Sequence, residues 1–286
     1  MSETTGPPGT LVKTRVREDI IVFTLGGERI ASSYGSNCTA VIGKTAVLLV
    51  DPFIAPAHAR LVEEKLLEKT PLPVRHVVLT HHHTDHALGA GWFAAGGATV
   101  HAHRACRDRM AAEHPALIES RRRQPEIASL FRDAEPYLPE SLFDESLTLD
   151  LGGRAVQVFH PGHNHTPGDA VVHVPDSETV ICGDLISSGY HVNYEDADAG
   201  NLENGIGFLR SLGARTYVPG HGPAGGPELL DDQARYHSEI RTTVASPDAS
   251  AALDRIRSLF PGYLLEEVLP SALRTVSSRN DRGNVP

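Results

Sequence analysis

Cysteine is nearly absent from this 286-residue chain: Cys38, Cys106 and Cys182 are an odd number, widely spaced, with no CxxC pair. A disulfide-stapled domain is excluded, and reduced thiols in a cytoplasmic protein are the expectation. Positive charge is also short. Lys plus Arg number 26 against 36 for Asp plus Glu, a formal net charge of −10, which weighs against a nucleic-acid phosphate backbone as the partner. No apolar run approaches the length of a membrane span, so no membrane partner is expected. Met1 to Thr10 is polar and Gly/Pro-rich without an apolar stretch. It reads as a disordered N-terminus, not a signal peptide. No short-period repeat is present, which excludes a solenoid.

What is present is ordinary core material and an excess of histidine. Hydrophobic residues make up 40% and charged residues 22%, enough for one large domain or two small ones. Short β-like runs at Ile20 to Thr24 and Cys38 to Ile42 precede Ala46-Val47-Leu48-Leu49-Val50, a continuous apolar run typical of a strand buried on both faces. Ala55, Ala59, Val62 and Leu66 share one face of a helix over Ala55 to Leu67. Val74 to Thr80 reads as a strand, Ala87 to Ala95 as a short helix, Ala98 to His101 as a strand and Arg104 to Ala112 as a helix. Residues 113–140, broken by Pro115, Pro125 and Pro136, read as an inserted segment able to serve as a lid or as a solvated connector. A second β-rich half follows at Leu147 to Leu151, Ala155 to Phe159, Ala170 to Val174 and Thr179 to Cys182. Helices are expected at Asn201 to Leu212, Leu229 to Val244 and Ser250 to Leu259, with a short strand at Thr216 to Val218. Two β-rich halves, each followed by helices, predict two sheets packed face to face with helices outside.

The sixteen histidines are not scattered evenly. His81, His83, Asp85 and His86 form H-x-H-x-D-H straight after the Val74 to Thr80 strand, so a rigid element ends in imidazole and carboxylate groups that suit a divalent ion such as zinc. Three further constellations follow strands: His160-Pro161-Gly162-His163-Asn164-His165-Thr166-Pro167-Gly168-Asp169, then Cys182-Gly183-Asp184, then Pro219-Gly220-His221-Gly222. Each pairs a glycine, which lets the backbone turn sharply, with a ligand-type side chain. Singly they are weak signals. Together they describe ligands that neighbouring strand ends bring to one place.

With these four stretches in order over about residues 15–235, the chain resembles the metallo-β-lactamase-fold superfamily, in its glyoxalase II and lactonase-like branch. The resemblance implies an αββα sandwich of two mixed β-sheets, an α/β (α+β) fold spanning 11–245, with 246–286 a helical tail. It implies a dinuclear centre of two zinc ions, iron or manganese being alternatives. His81, His83 and His165 would hold one ion; Asp85, His86 and His221 the other; Asp184 would bridge. His163 competes with His165, but the family's ligand precedes Thr-Pro-Gly. His82 is expected beside the ligands, and Cys182 as a buried strand residue.

The chemistry implied is hydrolysis of an acyl bond (ester, thioester or lactone) of a small molecule. Hydroxide is generated at the metals, with Asp85 and Asp184 the catalytic carboxylates. Asp184 in place of cysteine, with Ser187 three residues on, argues against a typical class B1 β-lactamase. The absence of the Gly-Cys-Gly-Arg-rich segment after Asp184 argues against glutathione thioesters. Tyr190, His191 and Tyr194 are the candidate substrate-binding residues. Alternatives are a mononuclear iron oxidoreductase of the persulfide dioxygenase kind, a β-lactamase-like activity, or a biosynthetic thioesterase or cyclase. In the tail, Leu264, Leu265, Val268, Leu269 and Leu273 form an apolar stripe expected to pack on the sandwich, a homodimer contact being the other reading. Ser277 to Pro286 is expected to be disordered.

Overall fold

The computed structural model describes residues 10–243 and 249–282. Its first half is a seven-stranded sheet in the order β1-β2-β3-β4-β5-β6-β7. The strands are β1 (Val12–Arg17), β2 (Ile20–Thr24), β3 (Asn37–Ile42), β4 (Val47–Val50), β5 (Val74–Val78), β6 (Thr99–His103) and β7 (Ser141–Phe143). β1 to β4 form an antiparallel meander, whereas β4 to β7 run parallel. Parallel neighbours need crossovers. These are α1 (Pro56–Leu67), then the short α2 (Thr84–Ala87) and α3 (Ala90–Ala95), then α4 (Arg104–Arg122) and α5 (Ala128–Phe131). The second sheet holds β8 (Ser146–Asp150), β9 (Ala155–Phe159), β10 (Val171–Val174), β11 (Thr179–Ile181) and β12 (Thr216–Val218), in the order β12-β11-β10-β9-β8. Its helices are α6 (Leu202–Ser211) and α7 (Glu228–Thr243), followed by α8 (Ala249–Leu259) and α9 (Leu269–Arg282).

Strand alternation divides the apolar residues between two interfaces. Ile20, Val22, Val41, Leu48, Val50 and Val78 meet Val156, Val158, Val172, Ile181 and Val218 of the other sheet. The intervening Ile21, Phe23, Ala40, Leu49, Val77 and Val100 pack instead on Ala59, Val62, Leu66 and Phe93 from α1 and α3. On the far side Val171, Val180 and Tyr217 meet Ile206, Leu209 and Leu230. The result is the helix–sheet–sheet–helix layering expected. Each fully buried Leu, Ile or Val contributes about 1.5–3 kcal/mol, so the three interfaces hold the two sheets, and hence their strand ends, in fixed relation.

Three expectations need correction. α4 does not stop at Ala112; it continues through Pro115 to Arg122. Its inward side chains Cys106, Met110, His114 and Ile118 are buried, and that packing carries the helix past the missing amide. Residues 123–140 are no free-standing lid either: Ile127, Phe131 and Ala134 pack with Ile118 on Ile54 and Leu88. At the other end, helix continues to Arg282 where disorder was expected from Ser277. Residues 1–9 and 283–286 lie outside the described residues. No described helix is long and apolar enough to cross a membrane.

Candidate metal centre

The strand ends do converge. β4 stops at Asp51, in the left-handed region at φ 56°. β5 runs into Thr80 and His81 at the same rim, and α2 opens on the next ligands. Across the gap, the Ala170 amide just ahead of β10 donates to the Thr80 carbonyl at 2.7 Å, which ties the two sheets together beside the cluster. β11 and β12 are parallel, so Asp184 and His221 emerge side by side. Gly220 is required there: a Cβ on it would lie 1.8 Å from Asp184 Oδ1.

His81, His83, His165 and Asp184 form one group and Asp85, His86 and His221 a second. His165 Nε2 lies 3.0 Å from His83 Nδ1 and 3.5 Å from Asp184 Oδ2, and His81 Nε2 lies 3.9 Å from Asp184 Oδ2. In the second group His86 Nε2 lies 3.3 Å from His221 Nε2, Asp85 Oδ2 and Asp184 Oδ1 alike. His221 Nε2 is 3.4 Å from Asp85 and 3.3 Å from Asp184. Asp184 therefore faces both groups. His163 does not join them; its Nε2 donates to the Asp196 carbonyl at 2.7 Å. Cys182 is buried as a free thiol.

Four of the five imidazoles have their outward nitrogen engaged. His81 Nδ1 meets Thr80 Oγ1 at 2.9 Å, His86 Nδ1 meets Asp51 at 3.0 Å, and His83 Nε2 meets Asp196 at 3.0 Å. His221 Nδ1 donates to the Tyr34 carbonyl at 3.2 Å. Such partners fix which nitrogen points inward. Asp51, buried, also accepts from the Thr80 amide and hydroxyl, so one carboxylate orients His86 directly and His81 through Thr80. Asp169 accepts from the amides of Asn164, His165 and Thr166 and from the Thr166 hydroxyl, which shapes the loop carrying His165.

This donor set fits metal ions. His81 Nε2 and Asp184 Oδ1 are buried and have no hydrogen-bond partner. Leaving such groups bare costs about 1–3 kcal/mol each, more when charged. Burial, and then His86, hold His81 well below the usual imidazole range; burial takes His165 down to about 3 against the pull of Asp184. Both therefore keep free lone pairs at neutral pH. Burial lowers His86 too, but Asp184, Asp85 and Asp51 outweigh it and hold it well above its ordinary value. Burial raises Asp184, yet His221 and His86 hold it well below the carboxylate range. The pocket demands positive charge at its centre, which divalent cations would supply.

The sequence model of the Metallo-beta-lactamase superfamily matches residues 33–221, a span that contains all seven of these residues. The chain belongs to the metallo-beta-lactamase superfamily. Among curated proteins it is similar to the Metallo-beta-lactamase type 2 of Bacteroides fragilis, 23% identical over 217 residues, covering 74% of this chain and 79% of that one. It is also similar to the 2,4-dinitroanisole O-demethylase subunit alpha of Nocardioides sp. (strain JS1661), 25% identical over 185 residues, covering 64% of this chain and about half (51%) of that subunit. Among solved structures, a metallo-beta-lactamase from Pontibacter korlensis superposes with a TM-score of 0.66 at 21% identity, covering 80% of this chain and 99% of that one. The superfamily's two mixed sheets with flanking helices are the architecture described above.

The centre lies at the floor of a cavity of about 860 Å³, within the usual size range of small-molecule sites. Of the three candidate substrate residues, His191 lines it, with Nδ1 3.0 Å from the buried Tyr236 hydroxyl. Tyr190 does not line it: its ring packs on His221 and its hydroxyl donates to the Gly27 carbonyl at 3.2 Å. Tyr194 is turned away and buried, bonded to His237 Nδ1. Tyr194 faces the protein because α7, α8 and α9 cover that part of the loop after Asp184, and Tyr190 because its hydroxyl is taken up by Gly27. The apolar stripe splits: Leu269 and Leu273 pack with Tyr236 and Ile240, while Leu265 and Val268 join the cavity wall. The opposite wall is the second half of α4, within the segment that the sequence allows as lid or connector, including Ala116, Leu117 and Arg121. Sequence reasoning missed Asp51, Asp196, Tyr34 and Arg121. Asp51 ends an apolar strand at the same rim as the cluster, a signal that was available; nothing local marked the other three.

Proposed function

We propose that this protein is a metal-dependent hydrolase that holds two divalent ions and cleaves an ester, thioester or lactone of a small molecule. The observation that supports it is that both ligand groups are complete around Asp184. A one-iron oxidoreductase would use one group and leave Asp85, His86 and His221 as an unbalanced buried cluster. Imidazole and carboxylate donors without thiolate suit zinc. Bound ions of this kind acidify water and polarise a carbonyl.

The chain's own residues supply the rest. Asp184, held ionised by His221 and His86, presents negative charge to both halves. Asp85 lines the cavity floor, and its carboxylate would take a proton from the attacking water and return it to the leaving group. The Ser33 and Ser36 hydroxyls both donate to the Asp85 carbonyl at 2.9 Å, which holds that backbone still. The walls from α4 and residues 265–271 offer apolar surface to an acyl chain at Ala116, Leu117, Leu265 and Val268. Similarity to the Nocardioides subunit, whose name describes removal of a methyl group from an aryl ether, adds that bond type to the test.

The test is elemental analysis joined to a substrate panel. Two zinc ions per chain and hydrolysis of at least one ester, thioester, lactone or activated aryl methyl ether are expected. One iron per chain with oxygen uptake, or an inert two-metal protein across the panel, would end this reading.

A further inference from the structure

We infer that the substrate carries a carboxylate remote from the scissile bond, held by Arg121 with the Tyr34 hydroxyl. Arg121 is the single arginine, and no lysine joins it, among the described residues that line the cavity. Its Nη2 lies 3.4 Å from Tyr34 Oη, and among the described residues it makes no ion pair. The contrast on the same helix is direct: Arg109 pairs with Glu113 and Asp196, and Arg122 with Glu119 and Glu135. A half-buried guanidinium without an anion, with its Nε buried and unbonded, is an under-satisfied donor, and a planar fork of this kind matches a carboxylate.

Tyr34 links this cation to the metal centre. Its carbonyl accepts from His221 Nδ1, and its side chain runs out to Arg121. Tyr34 and Ser33 sit at φ 53° and 52°, a left-handed conformation that side chains rarely adopt. Backbone held this way persists where the surroundings over-determine it, as at binding sites. Ser33 is fixed by the Asp85 carbonyl and the Ile54 amide, so the loop delivers a phenol to the cavity from the ligand side. Leu117, Leu265 and Val268 supply apolar wall. Asp85, Asp184, Asp196, Glu113, Glu195 and Glu267 also line the cavity. That acidic lining repels a phosphate dianion more than a carboxylate, which a single guanidinium can neutralise.

What becomes of the bound molecule rests on the hydrolase reading; the carboxylate contact does not. Calorimetry on the zinc-loaded protein, with hexanoate against hexanamide, tests it. Hexanoate should bind at least about tenfold more tightly than the amide. Arg121→Met should abolish that preference, and Arg121→Gln serves if the Met variant fails to fold. Tyr34→Phe should weaken hexanoate by about threefold and leave hexanamide unchanged. Hexanoate bound as well by Arg121→Met as by wild type would mean that the metals take the carboxylate, and would overturn the inference. Equal binding of acid and amide, or no hexanoate binding at about 10 mM, would overturn it too. Hydrolysis of a neutral hexanoate ester is read separately. An Arg121-dependent preference without turnover sinks the hydrolase and keeps this site; turnover with a preference indifferent to Arg121 does the reverse.

Discussion

The floor and the walls of the cavity are built differently. Each ligand of the floor stands in the loop or short helix that follows a strand, and most have a second anchor such as Asp51, Thr80 or Asp196. The walls come from one face of α4 and from residues 265–271, elements that cross the rim from outside the sheets. The floor has almost no freedom, because two packed sheets and buried carboxylates define it. The walls need only be apolar enough to pack and can present a residue such as Arg121 without disturbing the core. On the proposed function, the chemistry would belong to the floor and selectivity to the walls.

The sharpest way to break this contrast is at the shared carboxylate. Asp184→Ala should lower turnover of any substrate at least about a thousandfold and lower metal content, measured by plasma emission, with a near-native circular dichroism spectrum. Retention of both ions would remove Asp184 from the floor. Next is its support: Asp51→Ala unties His86 and Thr80 together and should weaken metal affinity about 10–100-fold in a competition titration. An unchanged affinity would show that the strands alone hold the ligands.

A third test uses acid and metal-free protein. Burial depresses His58 and His101 to about 4 and His237 to about 3, against about 6.5 unfolded. Between pH 6.5 and 4 the unfolded chain binds protons on these groups that the folded chain refuses, so stability rises with pH across that window. Asp169, pushed up to about 7 by burial, and Asp51, His83 and His86, raised above their ordinary values, oppose them, but His114 and His191, lowered to about 4, and His165, lowered to about 3, act with the first three imidazoles. The urea midpoint should fall steadily from pH 7 to 4; a midpoint that rose would mean the acid dominates. The smallest effect belongs to Tyr194→Phe. Loss of its bond to His237 should cost about 1–3 kcal/mol of stability and leave KM unaltered. A raised KM would return Tyr194 to the wall.

The H-x-H-x-D-H run, the separate histidines at His165 and His221 and the bridging position of Asp184 were legible because ligand chemistry restricts residue type and strand ends restrict place. The continuous apolar run of β4 likewise announced a strand buried on both faces. Helix boundaries were less legible. Pro115 read as a break, yet packing of His114 and Ile118 carried α4 through it. The tyrosines after Asp184 read as substrate groups, since a loop beside ligands shows no local sign of which way its side chains turn. α7, α8 and α9, remote in the chain, took Tyr194 into their own core.

By itself, then, the order of residues determined the layered fold, the family and the donor atoms, because periodicity and ligand type are local properties that survive without knowledge of contacts. Only the tertiary structure decided that Asp51 serves two histidines, that the C-terminal segment walls the cavity, and that Arg121 stands in it without an anion. Those facts depend on distances between residues as far apart as Tyr34, Arg121, His221 and Val268, and such distances exist only once the sheets have closed.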